Sequence, residues 1–440
     1  MNAELKAREL PNSYALEQPR VKHGYKQTDV GVIPADWDVQ RIGDLCDYQN
    51  GTSLEHLFSL HDGLKVISIG NYSVNGRYVD NGVHISGNNR KLVERFVLRR
   101  NDLTMSLNDK TSVGAIIGRV LLIEESDQFV FNQRTMRLRP KVKVCASYLY
   151  YVINADQAHN AIVGLAKPGT QIYVNTGDVV GLKLPVPLEE EQRAIAAALR
   201  DVDALLDGFE RLIAKKRDLK QAAMQQLLTG LTRLPGFSGE WEVKRLGDLG
   251  TIYGGLTGKS KADFGDGNAR YITFMNVMTN VVIDCGTFEK VRISRSETQN
   301  RAIAGDLFFN GSSETPEEVA MCAVLLEEVH DVYLNSFCFG FRFREGAEAN
   351  GILLAYYLRS TEGRELMKSL AQGSTRYNLS KVALLNSSMC LPALTEQIAI
   401  ATILSDMDSE LSALEARRDK TRALKAAMMQ ELLTGRIRLI

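Results

Sequence analysis

The chain has 440 residues, enough for about three domains, and its 53 Lys and Arg residues balance 53 Asp and Glu residues. The absence of net charge argues against a sequence-blind nucleic-acid binder, which is usually basic, but leaves specific binding through local patches open. No apolar run approaches 18 residues, the N-terminus lacks the apolar core of a signal peptide, and the six cysteines are isolated, so we expect a cytoplasmic protein without a membrane span.

Residues 1–36 form a polar lead-in segment in which Gly24 to Pro34 indicates a strand or loop rather than a domain. Residues 37–186 predict a first globular domain, because about 150 residues can bury a core of their own. Short β-like runs and one helical stretch favour a mixed α+β domain with a mainly antiparallel sheet. The predicted strands cover 66–69, 113–123 and 135–138, and the predicted helix covers 147–163.

Residues 187–234 predict one long helix, since they contain no internal proline. Apolar residues recur at alternating steps of four and three, which is the seam of a coiled coil. These seam residues are Ile195, Leu199, Val202, Leu206, Phe209 and Ile213. Charge interrupts the seam at Lys216 and Lys220, and the closing Leu-Leu-Thr-Gly supplies a glycine for a left-handed helix cap. Such a helix either oligomerises the protein or pairs with a second helix of the same chain.

The second half of the chain repeats the first. The helix sequence of 187–234 returns at 392–439 with a constant offset of 205, so that residues 392–440 predict a second long helix, and the segment WDVQRIGDL from Trp37 returns as WEVKRLGDL from Trp241. Internal repeats of this kind decide the architecture. We therefore expect residues 235–391 to form a second α+β domain, with strands at 271–274, 319–326 and 337–343 and a helix at 351–371.

The position of both helix copies in one chain favours their pairing with each other. The predicted fold is two mixed α+β domains joined by two long antiparallel helices in a coiled coil, related by a pseudo-two-fold axis. Continuing the register past the last residue leads back to the N-terminal segment, which predicts that Ile440 lies near Val32. The repeat also aligns the pair Tyr150-Tyr151 with Tyr356-Tyr357.

Several motifs that suggest catalysis fail on spacing. Gly254 and Gly258 have three residues between them, whereas a phosphate-binding loop has four. The six histidines do not pair with cysteines or carboxylates at metal-ligand spacing. Asp201 and Asp203 lie two apart on a helix and face different ways, which favours helix-surface contacts over a shared metal. With no cofactor loop and no Ser/His/Asp arrangement, the sequence predicts a binding protein rather than an enzyme.

Basic and polar residues in predicted loops are candidates for contact with a polyanion, because such side chains read base edges and hold phosphates. The candidates are Lys110, Arg134, Lys167, Gln171 and Tyr173 in the first domain, and Lys259, Ser374, Thr375, Arg376 and Tyr377 in the second. Any one of them alone is more often a solvated surface residue. The stretches at 169–173 and 373–377 stand out, because they recur at the same distance before a helix.

The order domain, helix ending in Leu-Leu-Thr-Gly, domain, helix resembles the specificity subunit of type I restriction-modification systems. The lead-in Gly-Tyr-Lys-Gln-Thr with Ile-Pro-x-x-Trp and the stretch Gly-Ser-Thr-Arg-Tyr-x-Leu-Ser at 373–380 carry the same resemblance. It implies two target-recognition domains, each reading one half of a split double-stranded DNA sequence. At 169–173 this chain has Gly-Thr-Gln-Ile-Tyr instead, without the arginine.

The resemblance also implies that the helices bind two modification subunits, which carry S-adenosylmethionine and adenine methyltransferase chemistry, and that restriction subunits can join. This chain is then expected to hold no cofactor or metal of its own. The repeated polar helix residues become candidates for the partner contact: Glu191, Gln192, Asp201, Asp203, Glu396, Gln397, Asp406 and Asp408. The alternatives are a coiled-coil scaffold whose domains bind protein or glycan ligands, and a fused modification enzyme with a degenerate active site.

Overall fold

The structure, a computed structural model, describes residues 22–111, 113–167 and 171–439. They divide into two compact units. Unit 1 contains the described residues up to Gly208 and those from Arg418 onward, and unit 2 runs from Phe209 to Arg417. Each unit therefore combines one globular domain with portions of both long helices.

Unit 1 is built mainly from short strands. Its strands are β1 Tyr25–Thr28, β2 Gly31–Pro34, β3 Asp38–Arg41, β4 Cys46–Asn50, β5 Phe58–Ser59, β6 Leu64–Ile67, β7 His84–Ile85, β8 Leu103–Ser106, β9 Asn108–Asp109, β10 Val120–Leu122, β11 Phe129–Phe131, β12 Thr135–Pro140, β13 Ile172–Tyr173 and β14 Lys183–Val186. Its short helices are α1 Ile42–Leu45, α2 Arg90–Val93, α3 Ala146–Asn154, α4 Asp156–Gly164 and α5 Thr176–Val180.

The main sheet of unit 1 has the order β10-β8-β12-β4 and is antiparallel throughout. A second sheet, β11-β6-β7-β5, contains one parallel pair, β11 with β6. The predicted strand over 113–123 shrinks to Val120–Leu122, because Gly114 and Gly118 both take a φ of 74°, which a strand does not accommodate. The apolar core of the unit includes Trp37 and Tyr148, both fully buried.

Unit 2 repeats this architecture. Its strands are β15 Glu242–Arg245, β16 Gly250–Gly254, β17 Phe264–Ile272, β18 Glu289–Val291, β19 Leu307–Asn310, β20 Ser312–Ser313, β21 Cys322–Val324, β22 Val332–Leu334, β23 Cys338–Phe343, β24 Ala371–Gln372, β25 Tyr377–Leu379 and β26 Ser388–Leu391. Its short helices are α7 Leu246–Leu249, α8 Phe274–Thr279, α9 Gly351–Arg359, α10 Thr361–Ser369 and α11 Lys381–Asn386. The main sheet has the order β16-β23-β19-β21. Strand for strand, this is the order β4-β12-β8-β10 of the main sheet in unit 1.

The single helices predicted in each domain are pairs of helices. In unit 1 the break between α3 and α4 falls at Ala155, which has an extended backbone. In unit 2 it falls at Ser360, whose hydroxyl accepts a hydrogen bond of 3.2 Å from the Gly363 N–H and so caps α10. The predicted strand over 271–274 ends at Ile272 for a similar reason, since Thr273 caps α8.

The long helices are α6, Glu189–Leu227, and α12, Leu394–Leu432, each of 39 residues. Gly230 and Gly435 follow them with φ values of 73° and 70°, which confirms the predicted left-handed caps. Within each unit the two helix portions run antiparallel, as predicted. The pairs that show this are Asp203 with Lys425 and Glu191 with Arg438 in unit 1, and Lys220 with Asp408 and Arg233 with Glu396 in unit 2.

Candidate nucleic-acid interface

In unit 1 the structure brings the predicted polyanion contacts together on one surface. Strand β13 pairs with β9, so that Tyr173 lies opposite Asn108, and the backbone N–H of Lys167 donates to the Tyr173 carbonyl at 2.8 Å. The Arg134 guanidinium donates to the Gln171 side chain at 2.7 Å. Lys110 follows β9 directly and is exposed. Gly169 and Thr170, which belong to the same predicted loop, lie outside the described residues.

A buried carboxylate, Asp109, holds the backbone of this surface in place through hydrogen bonds. Asp109 is 2% exposed and accepts hydrogen bonds from the Thr111 and Ile116 N–H groups at 2.8 and 2.9 Å. It therefore fixes the turn that carries Lys110. Arg134 has a φ of 64°, a left-handed conformation that aims its side chain out of the turn between β11 and β12. Both features place cationic groups on a rigid support.

The equivalent surface in unit 2 is the turn between β24 and β25. Ser374, Thr375 and Arg376 are exposed at its tip, and Tyr377 pairs with Ser313 of β20 at its base. Gly373 has a φ of 124°, and a Cβ at this position would lie 2.2 Å from the Arg376 carbonyl oxygen. The turn therefore requires glycine, and its tightness holds Arg376 in an exposed position.

Lys259, the remaining candidate in unit 2, is not exposed in this way. Its side chain is only 4% exposed, and its ammonium forms an ion pair of 2.5 Å with Glu297 and donates to the Arg292 carbonyl at 2.6 Å. The charge is neutralised within its own loop. Its contact with a polyanion stays a prediction that this geometry does not favour, and we leave Lys259 out of the proposed interface.

Four of the helix residues expected to touch a partner are instead buried inside their own unit. Glu191, Gln192, Glu396 and Gln397 are each 1–2% exposed. In unit 1, Glu191 accepts from the Trp37 indole at 2.8 Å, and Gln192 accepts from the Cys145 N–H at 2.9 Å. This corrects the expectation of a direct partner contact, because a buried polar group directs its hydrogen bonds to neighbours within the fold.

Unit 2 repeats the arrangement at the start of α12. Glu396 accepts from both the Nε and the Nη2 atoms of Arg233, at 2.7 and 2.5 Å. Gln397 accepts from the Asn350 N–H at 2.8 Å and donates to the Pro392 carbonyl at 2.8 Å. The repeated Glu-Gln pair therefore anchors each helix start to the domain before it.

The two Asp-x-Asp pairs divide between the two faces of their helices, as the helical spacing predicts. Asp201 and Asp406 are exposed. Asp203 and Asp408 point inward, where Asp203 accepts from the Tyr151 hydroxyl at 2.8 Å and Asp408 accepts from the Tyr356 hydroxyl at 2.6 Å. Burial together with the adjacent carboxylate raises the pKa of Tyr151 and of Tyr356, so both remain neutral donors.

A lysine from the other long helix completes each of these two clusters, at a position where charge interrupts the apolar seam. Lys425 donates to Asp203 at 2.7 Å and lies 5.6 Å from the Tyr151 ring centre. Lys220 pairs with Asp408 and lies 5.3 Å from the Tyr356 ring centre. All three members keep the offset of 205, so Tyr151 is the counterpart of Tyr356. The alignment of Tyr150-Tyr151 with Tyr356-Tyr357 was wrong by one residue, and applying the helix offset to the domain would have found the match.

The two units repeat one arrangement of residues, and comparison with known proteins identifies its family. The family model described as "Type I restriction modification DNA specificity domain" matches the chain twice, over residues 34–216 and 238–421. The chain belongs to this family. These two stretches are therefore DNA specificity domains, which confirms the resemblance seen in the sequence. The alternatives of a protein- or glycan-binding scaffold and of a fused modification enzyme find no support in this match.

Two curated relatives are specificity subunits from Methanocaldococcus jannaschii. The MjaVIII type I restriction enzyme specificity subunit is 24% identical over 211 residues, and these cover 48% of this chain and 49% of that protein. The chain thus matches about half the length of that relative. The putative MjaX type I restriction enzyme specificity subunit is 24% identical over 445 aligned residues, which cover 95% of this chain and 97% of the relative.

Solved structures share the fold. The S subunit of a type I restriction-modification system from M. genitalium aligns with a TM-score of 0.56 at 17% identity and covers 90% of this chain and 96% of its own. A chain from a structure reported for complex assembly and conformational transition of the type I system aligns with a TM-score of 0.55 at 18% identity, covering 92% and 99%. At such identities the likeness shows a shared fold and nothing further.

Two negative findings hold for the described residues. Within 22–111, 113–167 and 171–439, no three His, Cys, Asp or Glu side chains cluster in a way that could hold a metal ion. Over the same ranges, no helix has the length and apolar character needed to cross a bilayer. Both long helices carry charged residues along their whole length.

Proposed function

We propose that this chain is the specificity subunit of a type I restriction-modification complex, in which residues 37–186 and 235–391 each read one half of a split double-stranded DNA target. One observation carries the proposal. The two units share a strand order and a helix arrangement, yet the loops at their equivalent surfaces differ in charge, since 169–173 reads Gly-Thr-Gln-Ile-Tyr where 373–377 reads Gly-Ser-Thr-Arg-Tyr. Two unlike recognition surfaces on one repeated support suit two unlike half-sites at a fixed separation.

In unit 1 the proposed DNA contacts are Lys110, Arg134, Lys167, Gln171 and Tyr173. The Arg134–Gln171 pair is exposed and joins a cation to an amide, the two groups that make bidentate contacts with guanine and adenine. Lys167 lies 3.9 Å from Asp178, an exposed pair that a phosphate can displace at little cost. In unit 2 the proposed contacts are Ser374, Thr375, Arg376 and Tyr377, in which the arginine supplies the charge and the hydroxyls supply donors.

The chemistry belongs to partner subunits in this proposal. A modification subunit that carries S-adenosylmethionine would have to rotate the target adenine out of the base stack before methylating it. The chain itself supplies recognition and placement and is not a catalyst. Restriction subunits are proposed as further members of the complex. We propose two modification subunits, because the repeat presents the same helix surfaces twice.

On the helices, Asp201 and Asp406 are the proposed partner contacts. They occupy equivalent positions and are exposed, whereas Asp203 and Asp408 are engaged by tyrosine and lysine inside their units. A partner with a basic surface at this position would complement both carboxylates. Charge reversal at Asp201 and Asp406 together is therefore expected to weaken complex assembly more than the same change at either position alone.

The experiment that tests the proposal is a domain exchange read by methylome sequencing. Cells carry this chain with its modification partner, and residues 37–186 are replaced by the first domain of another family member. One half of the methylated sequence should change, and the other half and the spacer should stay the same. The matched exchange of 235–391 should change the opposite half. A change in both halves from one exchange, or no methylation that depends on this chain, would contradict the proposal.

A further inference from the structure

Unit 2 contains an open groove that the proposed function does not use. Its volume is 280 Å³. It is lined by Leu228, Thr229, Trp241, Val243, Tyr357, Glu362, Ser388, Met389 and Cys390. The floor is apolar and Val243 is 70% exposed within it. The indole nitrogen of Trp241 is buried without a hydrogen-bond partner among the described residues.

The repeat identifies the same surface in unit 1. Strands β15 and β26 pair with Val243 opposite Cys390, and strands β3 and β14 pair with Val39 opposite Pro185. Ser388 and Lys183 occupy the same place at the start of β26 and β14. Helices α10 and α4 place Glu362 and Gln157 at the same position, the second residue of each helix. The two surfaces are therefore comparable residue by residue.

In unit 1 a hairpin covers this surface. Strands β1 and β2 form the hairpin, and Asp29 and Val30 form its turn. Asp29 pairs with Lys183, the Val30 carbonyl accepts from the Gln157 side chain at 2.7 Å, and the Val30 side chain packs on the core. Beneath this cover Trp37 is fully buried and its indole nitrogen is hydrogen-bonded to Glu191. The repeat thus shows what kind of group fills the groove.

We propose that the groove of unit 2 binds an extended or hairpin segment of a partner protein that places an apolar side chain over Trp241 and Val243 and a Lys or Arg beside Glu362. The apolar requirement follows from the role of Val30 in unit 1. The basic requirement follows from the exchange of Gln157 for Glu362, since the Glu362 carboxylate is exposed and no ion pair engages it among the described residues. This inference stands independently of DNA recognition.

The charge of the groove favours a basic protein segment over two other occupants, a second copy of this chain and nucleic acid. A second copy of this chain would present its own Asp29, which would find Ser388 in place of its partner Lys183 and would enter a groove that Glu362 already makes acidic. Nucleic acid would bring phosphates to an acidic and apolar groove, where like charges repel. A basic, partly apolar protein segment satisfies both the floor and the rim of the groove.

Cys390 provides a reporter in the groove, because it lines the cavity and is exposed. The probe is a cyclic peptide that carries residues 25–34 with Asp29→Lys, and the control is the same peptide with the native Asp29. Alkylation of Cys390 in the full chain is followed by mass spectrometry, which separates it from the other five cysteines. We expect the Asp29→Lys peptide to protect Cys390 at roughly two- to fivefold lower concentration than the control, the range of one exposed ion pair.

A charge swap completes the test. In the Glu362→Lys variant the preference should reverse, so that the native peptide protects Cys390 at the lower concentration. Val243→Asp should abolish protection by both peptides. The proposal is overturned if neither peptide protects Cys390, if the preference survives Glu362→Lys, or if the native peptide is preferred. Faster alkylation after deletion of residues 1–21, or slower alkylation as the chain is concentrated, would identify the chain itself as the occupant and would equally overturn it.

Discussion

Arg438 donates hydrogen bonds of 2.6 and 2.8 Å to Glu191, a carboxylate that lies 247 residues earlier in the chain. The same guanidinium also binds Asp36, at 2.8 and 3.0 Å. Arg438 therefore joins the segment after α12 both to the start of α6 and to the segment before β3. Ile440, predicted to lie near Val32, is outside the described residues, but Gly435 already packs against Pro34 and Trp37.

Removing Arg438 should destabilise unit 1 strongly. In Arg438→Met the Glu191 carboxylate, whose side chain is fully buried, keeps the Trp37 indole donor and loses its cation. A buried charge without its partner costs about 3–5 kcal/mol. We expect a loss of this order in the free energy of unfolding, measured by urea denaturation of the full chain with a spectroscopic probe at Trp37.

The matched control is Arg436→Met, two residues earlier. Arg436 forms an exposed pair with Glu431 in which the arginine side chain is 55% exposed. Such pairs contribute at most about 1 kcal/mol. The double variant Arg438→Met with Glu191→Met should recover much of the loss, because no charge is then left buried. Equal effects of the two single variants would show that Arg438 does not close the unit.

The lysines that interrupt the coiled-coil seam should stabilise it. Lys425→Met and Lys220→Met each leave an inward-facing aspartate with its tyrosine donor but without its lysine. We expect each to lower the free energy of unfolding by roughly 1–2 kcal/mol, because both pairs are charge-assisted hydrogen bonds that are only partly exposed. Lys215→Met is the control, because Lys215 is exposed on α6, the helix that carries Lys220. If either methionine variant is more stable than the unchanged protein, the lysine–aspartate pairs do not stabilise the coiled coil.

The architecture was accessible from the sequence because it is duplicated. A gapless offset of 205 over 48 residues reveals both helices, and the glycines that end them, Gly230 and Gly435, are unambiguous stop signals. The hairpin before Trp37 and the division of each short helical stretch were missed. Ala155 carries no sequence signal for a break, yet its backbone is extended and no side chain caps the helix that follows.

The site was only partly accessible. Loop position and residue type predicted Arg134, Gln171 and Tyr173 as DNA contacts, and the structure places these three residues on one surface. Sequence alone could not show which polar groups turn inward, since that depends on distant partners. Glu191 and Lys259 look like surface residues until Arg438 and Glu297 are placed beside them.

Arg376 should contribute to DNA affinity, whereas Lys259 should not. The comparison uses Arg376→Ala and Lys259→Ala in complex with the modification partner, with fluorescence anisotropy on the methylated target sequence at several salt concentrations. If Arg376 binds phosphate, its loss weakens all sequences alike and lowers the salt slope by about one; if it reads guanine, discrimination falls by roughly 1–3 kcal/mol at one position. An unchanged affinity for Arg376→Ala, or a larger loss for Lys259→Ala, would move the interface elsewhere.

The long helices should set the separation of the two half-sites. Four residues add one turn of helix, about 6 Å, and B-DNA advances by a similar distance over roughly two base pairs. The insertions belong where the chain passes between units, after Gly208 in α6 and after Arg417 in α12. At these points the Asp203–Lys425 and Lys220–Asp408 pairs each stay intact within their own unit.

Insertions after Arg217 and Arg422, where charge interrupts the seam, are less suitable. The first would separate Lys216 from Lys220. These two lysines bind Glu410 and Asp408 in the same unit. Both helices must be lengthened together, since a single insertion lets the antiparallel register slip. A coiled coil absorbs four extra residues by local unwinding rather than by losing its seam.

Two added base pairs also rotate the second half-site by roughly 70° about the DNA axis, so some affinity should be lost. Methylome sequencing should then show unchanged half-sites separated by a spacer one or two base pairs longer. A doubly lengthened chain that folds, binds its partner and still methylates the original spacer would show that something other than these helices measures the distance.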